Sequence, residues 1–203
     1  MEHDVARIVI SQTRLAERVR AMAAEIAGCY PDHERALTLV TVLSGSIIFL
    51  ADLIRHLPMK MKIGLVTVSS YRGSTVVPGK TTLLTELNAD VTGRDVLVID
   101  DILDTGNTLR LVQGRLAARE PSSLRTAVLL RKPAKAPDDV PVDFVGFDIE
   151  DEFVVGYGLD YNDHYRNLPH IAVLKPELYE QRAGHDHEPL EHTADDRLLR
   201  ERG

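Results

Sequence analysis

With a single cysteine, Cys29, the chain cannot form an internal disulfide, so the fold must rest on packing and a reducing compartment suits it. Basic charge is also short: 24 lysines and arginines face 31 acids, a formal net charge of -7. That balance excludes a nucleic-acid coat or a binder of anionic membranes, both of which need a basic surface. An anionic small-molecule substrate stays open, because a local pocket can be positive on an acidic protein. No apolar run approaches the ~18 residues of a membrane span. Met1-Glu2-His3-Asp4 lacks the basic-then-apolar layout of a signal peptide. Internal repeats are missing as well. What remains is an acidic, cytoplasmic, single-domain protein with no nucleic-acid or membrane partner. Its 203 residues, 44% hydrophobic, suffice to bury a core without structural metals.

Apolar Leu15, Val19, Met22 and Ile26 recur at helical spacing between Ser11, an N-cap, and Gly28, a stop. Leu37 to Leu43 reads as a buried strand and Ser44-Gly45-Ser46 as a turn. Ile47, Ile48, Ala51 and Ile54 then mark one face of a helix before Pro58. Ile63 to Val68 is strand-like, Ser70 to Lys80 is a polar, Gly-rich loop, and Thr82 to Leu87 is a strand leaving it. Val96 to Ile99 is the clearest buried strand, followed by a helix that turns Leu109, Val112 and Leu116 inward. Thr126 to Leu130, Phe144 to Phe147 and Phe153 to Val155 supply further strands, with a loop from Pro133 to Pro141. Strands alternating with amphipathic helices imply an α/β fold, a mainly parallel central sheet flanked by helices. From Gln181 onward the chain is polar and rich in His, Asp, Glu and Arg, as a disordered tail would be.

Ligands of open α/β sheets bind beyond the carboxyl ends of the strands. The best candidate here is Val96-Leu97-Val98-Ile99-Asp100-Asp101-Ile102-Leu103-Asp104-Thr105-Gly106-Asn107-Thr108. Two adjacent carboxylates leave the strand, a third follows three residues on, and a Thr-Gly-Asn-Thr turn opens a helix. Carboxylates accept from sugar hydroxyls and can hold magnesium directly or through water. Backbone N–H groups at a helix N-terminus can wrap a phosphate, and Gly106 lets the backbone come close. Singly, an Asp before a helix is a solvated cap. Three of them beside a phosphate-cradling turn point to a phosphorylated sugar.

This segment resembles the phosphoribosyl pyrophosphate signature of the type I phosphoribosyltransferases. Further segments, in the expected order from about Leu37 to Leu174, are similar to the hypoxanthine-guanine branch of that family: Leu43-Ser44-Gly45-Ser46, Ser69-Ser70-Tyr71 with Gly73-Ser74-Thr75, Leu129-Leu130-Arg131-Lys132-Pro133, Phe153 to Asn162, and Tyr165 to Pro169. The resemblance implies one type I phosphoribosyltransferase domain over residues 1–180. Its core would run over about 37–148, and a small hood would come from about 149–174 plus the N-terminal segment. Residues 181–203 would form the tail. It implies transfer of the 5-phosphoribosyl group from phosphoribosyl pyrophosphate to hypoxanthine or guanine, giving IMP or GMP and pyrophosphate, with Mg2+.

By the same resemblance Asp104 is the catalytic carboxylate near the purine five-membered ring. Asp100 and Asp101 hold the ribose hydroxyls and magnesium, and Thr105, Gly106, Asn107 and Thr108 the phosphate. Ser44, Gly45 and Arg166 bind pyrophosphate. Lys132 reads the 6-oxo group, Phe153 stacks on the base, and Val154 offers it backbone hydrogen bonds. Asp160 lies near the base and a second magnesium, and Ser70 and Tyr71 sit in a loop that closes over the site. The partners implied are the donor, a 6-oxopurine and, through a homodimer or homotetramer, further copies of the chain. Two departures stand out. The family usually has Glu where Asp100 stands, and many members have Lys where Ser44 stands. The first loop of the family often holds a non-proline cis peptide, which would fall at Leu43–Ser44.

Other readings are weaker. The run Asp100-Asp101-Ile102-Leu103-Asp104 also spells the acid-rich pattern of isoprenyl diphosphate synthases, but that pattern belongs on helices and here follows a β-like run. Gly79-Lys80-Thr81 has the wrong glycine spacing for a nucleotide-binding P-loop. A regulatory protein on the same fold, sensing phosphoribosyl pyrophosphate or nucleotides, is the serious alternative. It should carry a basic face and need not keep the base-binding set, so the acidic balance and the presence of Asp104, Lys132 and Arg166 together favour the enzyme.

Overall fold

A computed structural model describes residues 1–32, 36–70, 81–83 and 89–180. The chain enters through a short 3₁₀ turn into strand β1 (Val5–Ile10), then helix α1 (Gln12–Cys29). Next come β2 (Leu37–Leu43), α2 (Ile47–Ile54), β3 (Met61–Ser70), β4 (Thr81–Leu83) and β5 (Asp95–Leu103). Helix α3 (Asn107–Ala117) leads to β6 (Ser123–Arg131), β7 (Phe144–Asp148), β8 (Val154–Val155), β9 (Ile171–Leu174) and a last helical turn, α4 (Glu177–Glu180). The expected α/β architecture is present, with β2, β3, β5, β6 and β7 parallel and β4 antiparallel at one edge.

Period-two alternation sorts the strand residues into two cores. Leu39, Leu97, Ile99 and Leu129 face one side of the sheet, with Leu15, Val19 and Met22 of α1 and Phe49 of α2. Val40, Val96, Val98 and Val128 face the other, with Leu109, Val112 and Leu116 of α3. Burial on both faces is what a parallel sheet between helices requires. Each fully buried Leu or Ile contributes ~1.5–3 kcal/mol relative to exposure.

The sheet order is β4-β3-β2-β5-β6-β7. The chain therefore winds one way from β2 to β3 and the other way from β5 to β7. The reversal falls between β2 and β5, paired from Thr38↔Val96 to Thr41↔Ile99. Loops leaving the carboxyl ends of these two strands flank the crevice where such sheets take ligands.

Several boundaries differ from expectation. Gly28 lies inside α1 rather than ending it, and Tyr30 is the C-cap. In α2 the buried side is Phe49, Leu50 and Leu53, while Ile47 and Ile48 are exposed. The run Ile47-Ile48-Phe49-Leu50 is apolar all round, so periodicity could not choose the face. Strand β5 continues through Asp100 and Asp101 to Leu103, paired with β6, so the two acids sit in the strand and not after it. Strand β1 was not anticipated, its residues being mostly exposed or half-buried and without an alternating burial pattern. It joins β9 and β8 in a separate antiparallel sheet, order β1-β9-β8, against which Tyr161 and Tyr165 pack. Tyr71 and the expected loop over 71–80, the strand beyond Leu83, and the tail from Gln181 lie outside the described residues.

Candidate active site

The loop after β2 and the end of β5 wall a cleft of about 510 Å³. Its lining includes Ser44, Gly45, Asp100, Asp101, Asp104, Thr105, Gly106, Asn107, Thr108, Asp160 and Arg166. The anticipated sugar-phosphate and pyrophosphate residues thus share one cavity. Within the first loop and its strand the Thr41 hydroxyl meets the Ser46 hydroxyl at 2.8 Å, and Ser46 also donates to the Val42 carbonyl. Both side chains are buried, and they pin the first loop to its strand. The Leu43–Ser44 bond is cis.

Gly45 has no room for a side chain: a Cβ there would stand 1.7 Å from Asp101 Oδ2. The first loop and the acidic strand end are therefore in contact. Asp100 is buried, with Oδ1 accepting from the Asp101 N–H at 3.0 Å. Burial, and then the Asp101 charge beside it, push the Asp100 carboxyl well above the usual carboxylate range. Burial also raises Asp101, opposed by hydrogen bonds from Asp100 and the backbone and by the Arg166 charge.

Gly106, the N-cap of α3, has φ +74°. The helical ladder at this end begins with Arg110 N–H donating to the Gly106 carbonyl at 2.8 Å, so the N–H groups of Asn107, Thr108 and Leu109 precede it. No acidic residue occupies the first turn. That end is suited to an external anion.

Arg166 reaches the cleft from the connection between β8 and β9. It pairs with Asp160 at 2.9 Å and Asp163 at 3.0 Å, and donates to the Gly158 carbonyl at 2.8 Å. Gly158 in turn abuts the Gly45 carbonyl. Both Asp160 oxygens are engaged, one by Arg166 and one by the Asp163 N–H. A metal coordinated directly by Asp160 would have to share an oxygen with one of these partners.

Of the anticipated base residues Asp160 lines this cleft, whereas Lys132, Phe153 and Val154 do not. Lys132 joins it at Asp104, whose Oδ2 accepts from Lys132 Nζ at 3.4 Å. Asp104 Oδ1 is buried and accepts no hydrogen bond among the described residues. Lys132 is only 6% exposed, whereas Phe153 is 44% exposed and meets Tyr161 edge-on at 5.6 Å between ring centroids. Val154 is buried in β8 opposite Val173. Sequence reasoning missed Asp151, which also accepts from Lys132 at 3.3 Å, and Lys135, which bonds Asp151 at 2.7 Å. Alternating charges in a loop carry no signal of this pairing. It missed Thr41 and Ser46 too, which read as a strand residue and a turn residue.

A doubly wound sheet with a carboxylate pair, a phosphate-ready helix end and a guanidinium at its switch point is the architecture of a phosphoribosyltransferase. The family model described as the phosphoribosyl transferase domain matches residues 10–162. The hypoxanthine-guanine phosphoribosyltransferase of Bacillus subtilis (strain 168) is 41% identical over 180 residues, spanning 89% of this chain and 99% of that protein. That of Mycobacterium avium is 40% identical over 182 residues, 88% of this chain and 90% of the relative. Among solved structures, a hypoxanthine phosphoribosyltransferase from Staphylococcus aureus superposes with TM-score 0.80 at 37% identity, covering 88% of this chain and 96% of that one. The Trypanosoma cruzi enzyme in complex with the product IMP gives TM-score 0.79 at 34% identity, covering 87% and 97%. The chain belongs to the hypoxanthine-guanine phosphoribosyltransferase family.

Proposed function

We propose that this protein transfers the 5-phosphoribosyl group of phosphoribosyl pyrophosphate to hypoxanthine or guanine, giving IMP or GMP and pyrophosphate in purine salvage. The observation that carries the residue assignments is the meeting at Asp104. This carboxylate lines the cleft, bonds the buried Lys132, and keeps one buried oxygen without a hydrogen bond among the described residues.

In this reading a purine ring nitrogen displaces pyrophosphate from the anomeric carbon. Thr105 to Thr108 and the α3 N-terminus hold the 5-phosphate. Asp100 and Asp101 hold the ribose hydroxyls. Ser44, Gly45 and Arg166 face the pyrophosphate, for which a fixed fork of donors is well shaped. Lys132 donates to the purine 6-oxo group, Phe153 stacks on the ring, and Val154 supplies backbone hydrogen bonds. Asp104 accepts the proton of the attacking ring nitrogen, a role worth ~10²–10⁴-fold in rate. Ser70 ends β3, and with Tyr71 it would belong to a closing loop that excludes water.

Magnesium belongs to this reading, and the donor set supports it. Four carboxylates (Asp100, Asp101, Asp104, Asp160) but one cation, Arg166, are described in the wall of a cleft meant for a polyanion. Asp100 and Asp101 are the residues that would hold the ion, with Asp160 beside a second one. No group of three His, Cys, Asp or Glu able to hold a metal occurs among the described residues, so the donor's own oxygens and water must complete the shell. Bound with the donor, magnesium supplies neutralisation of the charge that builds on pyrophosphate. A charged donor and a single cysteine favour a cytoplasmic setting. Exposed Ile47, Ile48, Ile63 and Leu65 favour a homodimer or homotetramer.

The test is a base panel with phosphoribosyl pyrophosphate and magnesium. Hypoxanthine and guanine should be comparable, xanthine poorer, and adenine worse by about tenfold to several hundredfold in kcat/KM, because its 6-amino group would face the Lys132 donors. Adenine as the best base would remove Lys132 from the 6-position. Binding of donor without turnover of any base would favour the sensing reading instead.

A further inference from the structure

We propose that Asp151, backed by Lys135, is a positioning residue that fixes the Lys132 ammonium for reading the purine 6-position. This rests on the assignment of Lys132 as the base reader. A lysine ammonium has three donors on a flexible four-carbon stem, so a precise reader needs outside help to hold its direction. Here the backbone is anchored by Lys132 N–H to the Leu103 carbonyl at 3.0 Å. Two carboxylates then take two donors: Asp104 at 3.4 Å from one side and Asp151 at 3.3 Å from the other. With two tetrahedral directions fixed, the third N–H has one direction left. Neither bond is short, so the ammonium is shared between the acids instead of collapsed on one.

The strands put Asp151 there. Arg131 and Asp148 are register partners at the ends of β6 and β7 and form a two-pronged pair at 2.7 and 3.0 Å. Ile149 N–H donates to the Arg131 carbonyl at 2.9 Å, and Glu152 N–H to the Glu150 carbonyl at 2.8 Å, which folds the segment back over Lys132. On the other side, Lys135 and Ala136 N–H groups both return to the Lys132 carbonyl, at 3.0 and 2.8 Å. That turn brings Lys135 Nζ to 2.7 Å from Asp151 and 3.9 Å from Asp104. Two acids and two ammonium groups alternate, and the charge is balanced. Lys135, with Lys132 behind it, holds the Asp151 carboxyl below the usual range, so it stays an acceptor throughout the neutral region. Without Asp151, Lys132 keeps one acid, Asp104, and would neutralise the carboxylate assigned to the proton.

Steady-state kinetics of Asp151→Asn, Asp151→Glu, Lys135→Ala and Lys132→Ala, with melting temperatures, test this. Asp151→Asn should raise KM for hypoxanthine about tenfold, the cost of a misdirected donor. KM for phosphoribosyl pyrophosphate should stay within about twofold, and the preference for hypoxanthine over competing adenine should shrink. Asp151→Glu should recover most of the loss, and Lys135→Ala should shift the same way by a smaller factor. The proposal is overturned if hypoxanthine KM and base preference are unchanged in Asp151→Asn. It is equally overturned if all constants and the melting temperature fall together and Asp151→Glu recovers nothing. Should Asp151→Asn fail to fold, unchanged base preference in Lys135→Ala overturns it. Lys132→Ala separates the two levels. A raised base KM there with normal Asp151→Asn sinks only the role of Asp151, and a normal base KM there sinks the base-reader assignment and the proposal with it.

Discussion

Two aspartates of the cleft make opposite demands on the protein. Asp104 is assigned to proton transfer, so Asp104→Asn should lower kcat by ~10²–10⁴-fold while leaving the melting temperature and donor binding near normal. Stopped turnover with lost donor binding would instead make Asp104 a sugar ligand. Asp100 acts on stability. Its folded pKa lies above the ordinary value, so the folded state binds the proton more tightly than the unfolded chain does. The stabilising effect of that proton is present below the ordinary carboxylate pKa. It is lost as pH rises from there through the raised folded value, above which a buried, crowded charge is left. Asp100→Asn should therefore melt higher than the parent at neutral pH, on the order of a few degrees, and the gain should vanish in acid. The variant should be poorly active. Equal melting temperatures across the pH range would show that the pair is solvated, not strained.

At the scale of elements, the turn at the head of α3 is where sequence and structure agree best and where a small change should cost most. Gly106 combines φ +74° with a crowded flank: a Cβ would stand 2.7 Å from Pro137 Cγ and 3.0 Å from Val140 Cγ2. The loop from Pro133 to Pro141 thus packs on the phosphate turn, and Arg110 ties the two together through Asp139 at 2.7 and 3.0 Å. Gly106→Ala should destabilise by about 1–3 kcal/mol and raise KM for phosphoribosyl pyrophosphate, measured by melting and initial rates. An unchanged donor KM would detach this turn from the phosphate. The turn was legible because its chemistry is local: glycine, hydroxyls and acids in one short run. Strand β2 was legible to the residue, since its both-face burial leaves an unbroken apolar run. Helix α2 was misread because its apolar residues surround it. Strand β1 was invisible, since its partners lie more than 160 residues away and its burial is slight. The cluster of Asp151 and Lys135 was missed for the same reason, being a product of strand register and not of spacing.

For the whole molecule, acidity and function are reconciled by the order in which charges arrive. A net charge of -7 and a cleft with four described carboxylates repel a polyanionic donor unless cations accompany it. Titration calorimetry should find magnesium binding weak to the free protein and strong once pyrophosphate or phosphoribosyl pyrophosphate is present. Tight metal binding to the free protein would mean that the chain builds its own cage. The two sheets differ in how far apart along the chain their strands lie. The central sheet joins strands that follow one another closely, whereas β1 can pair only with β9, Val5 meeting Leu174 across almost the entire chain. During synthesis the central sheet can therefore assemble on the ribosome while the second sheet still waits for its last strand. The same ordering applies in reverse to the finished enzyme: the seam between first and last strands is the place to open first, and hydrogen exchange should be faster in β1 and β9 than in β5 and β6. On the proposed assignments, the contribution of Phe153 and Val154 to holding the base would then be gained last in folding and lost first on warming.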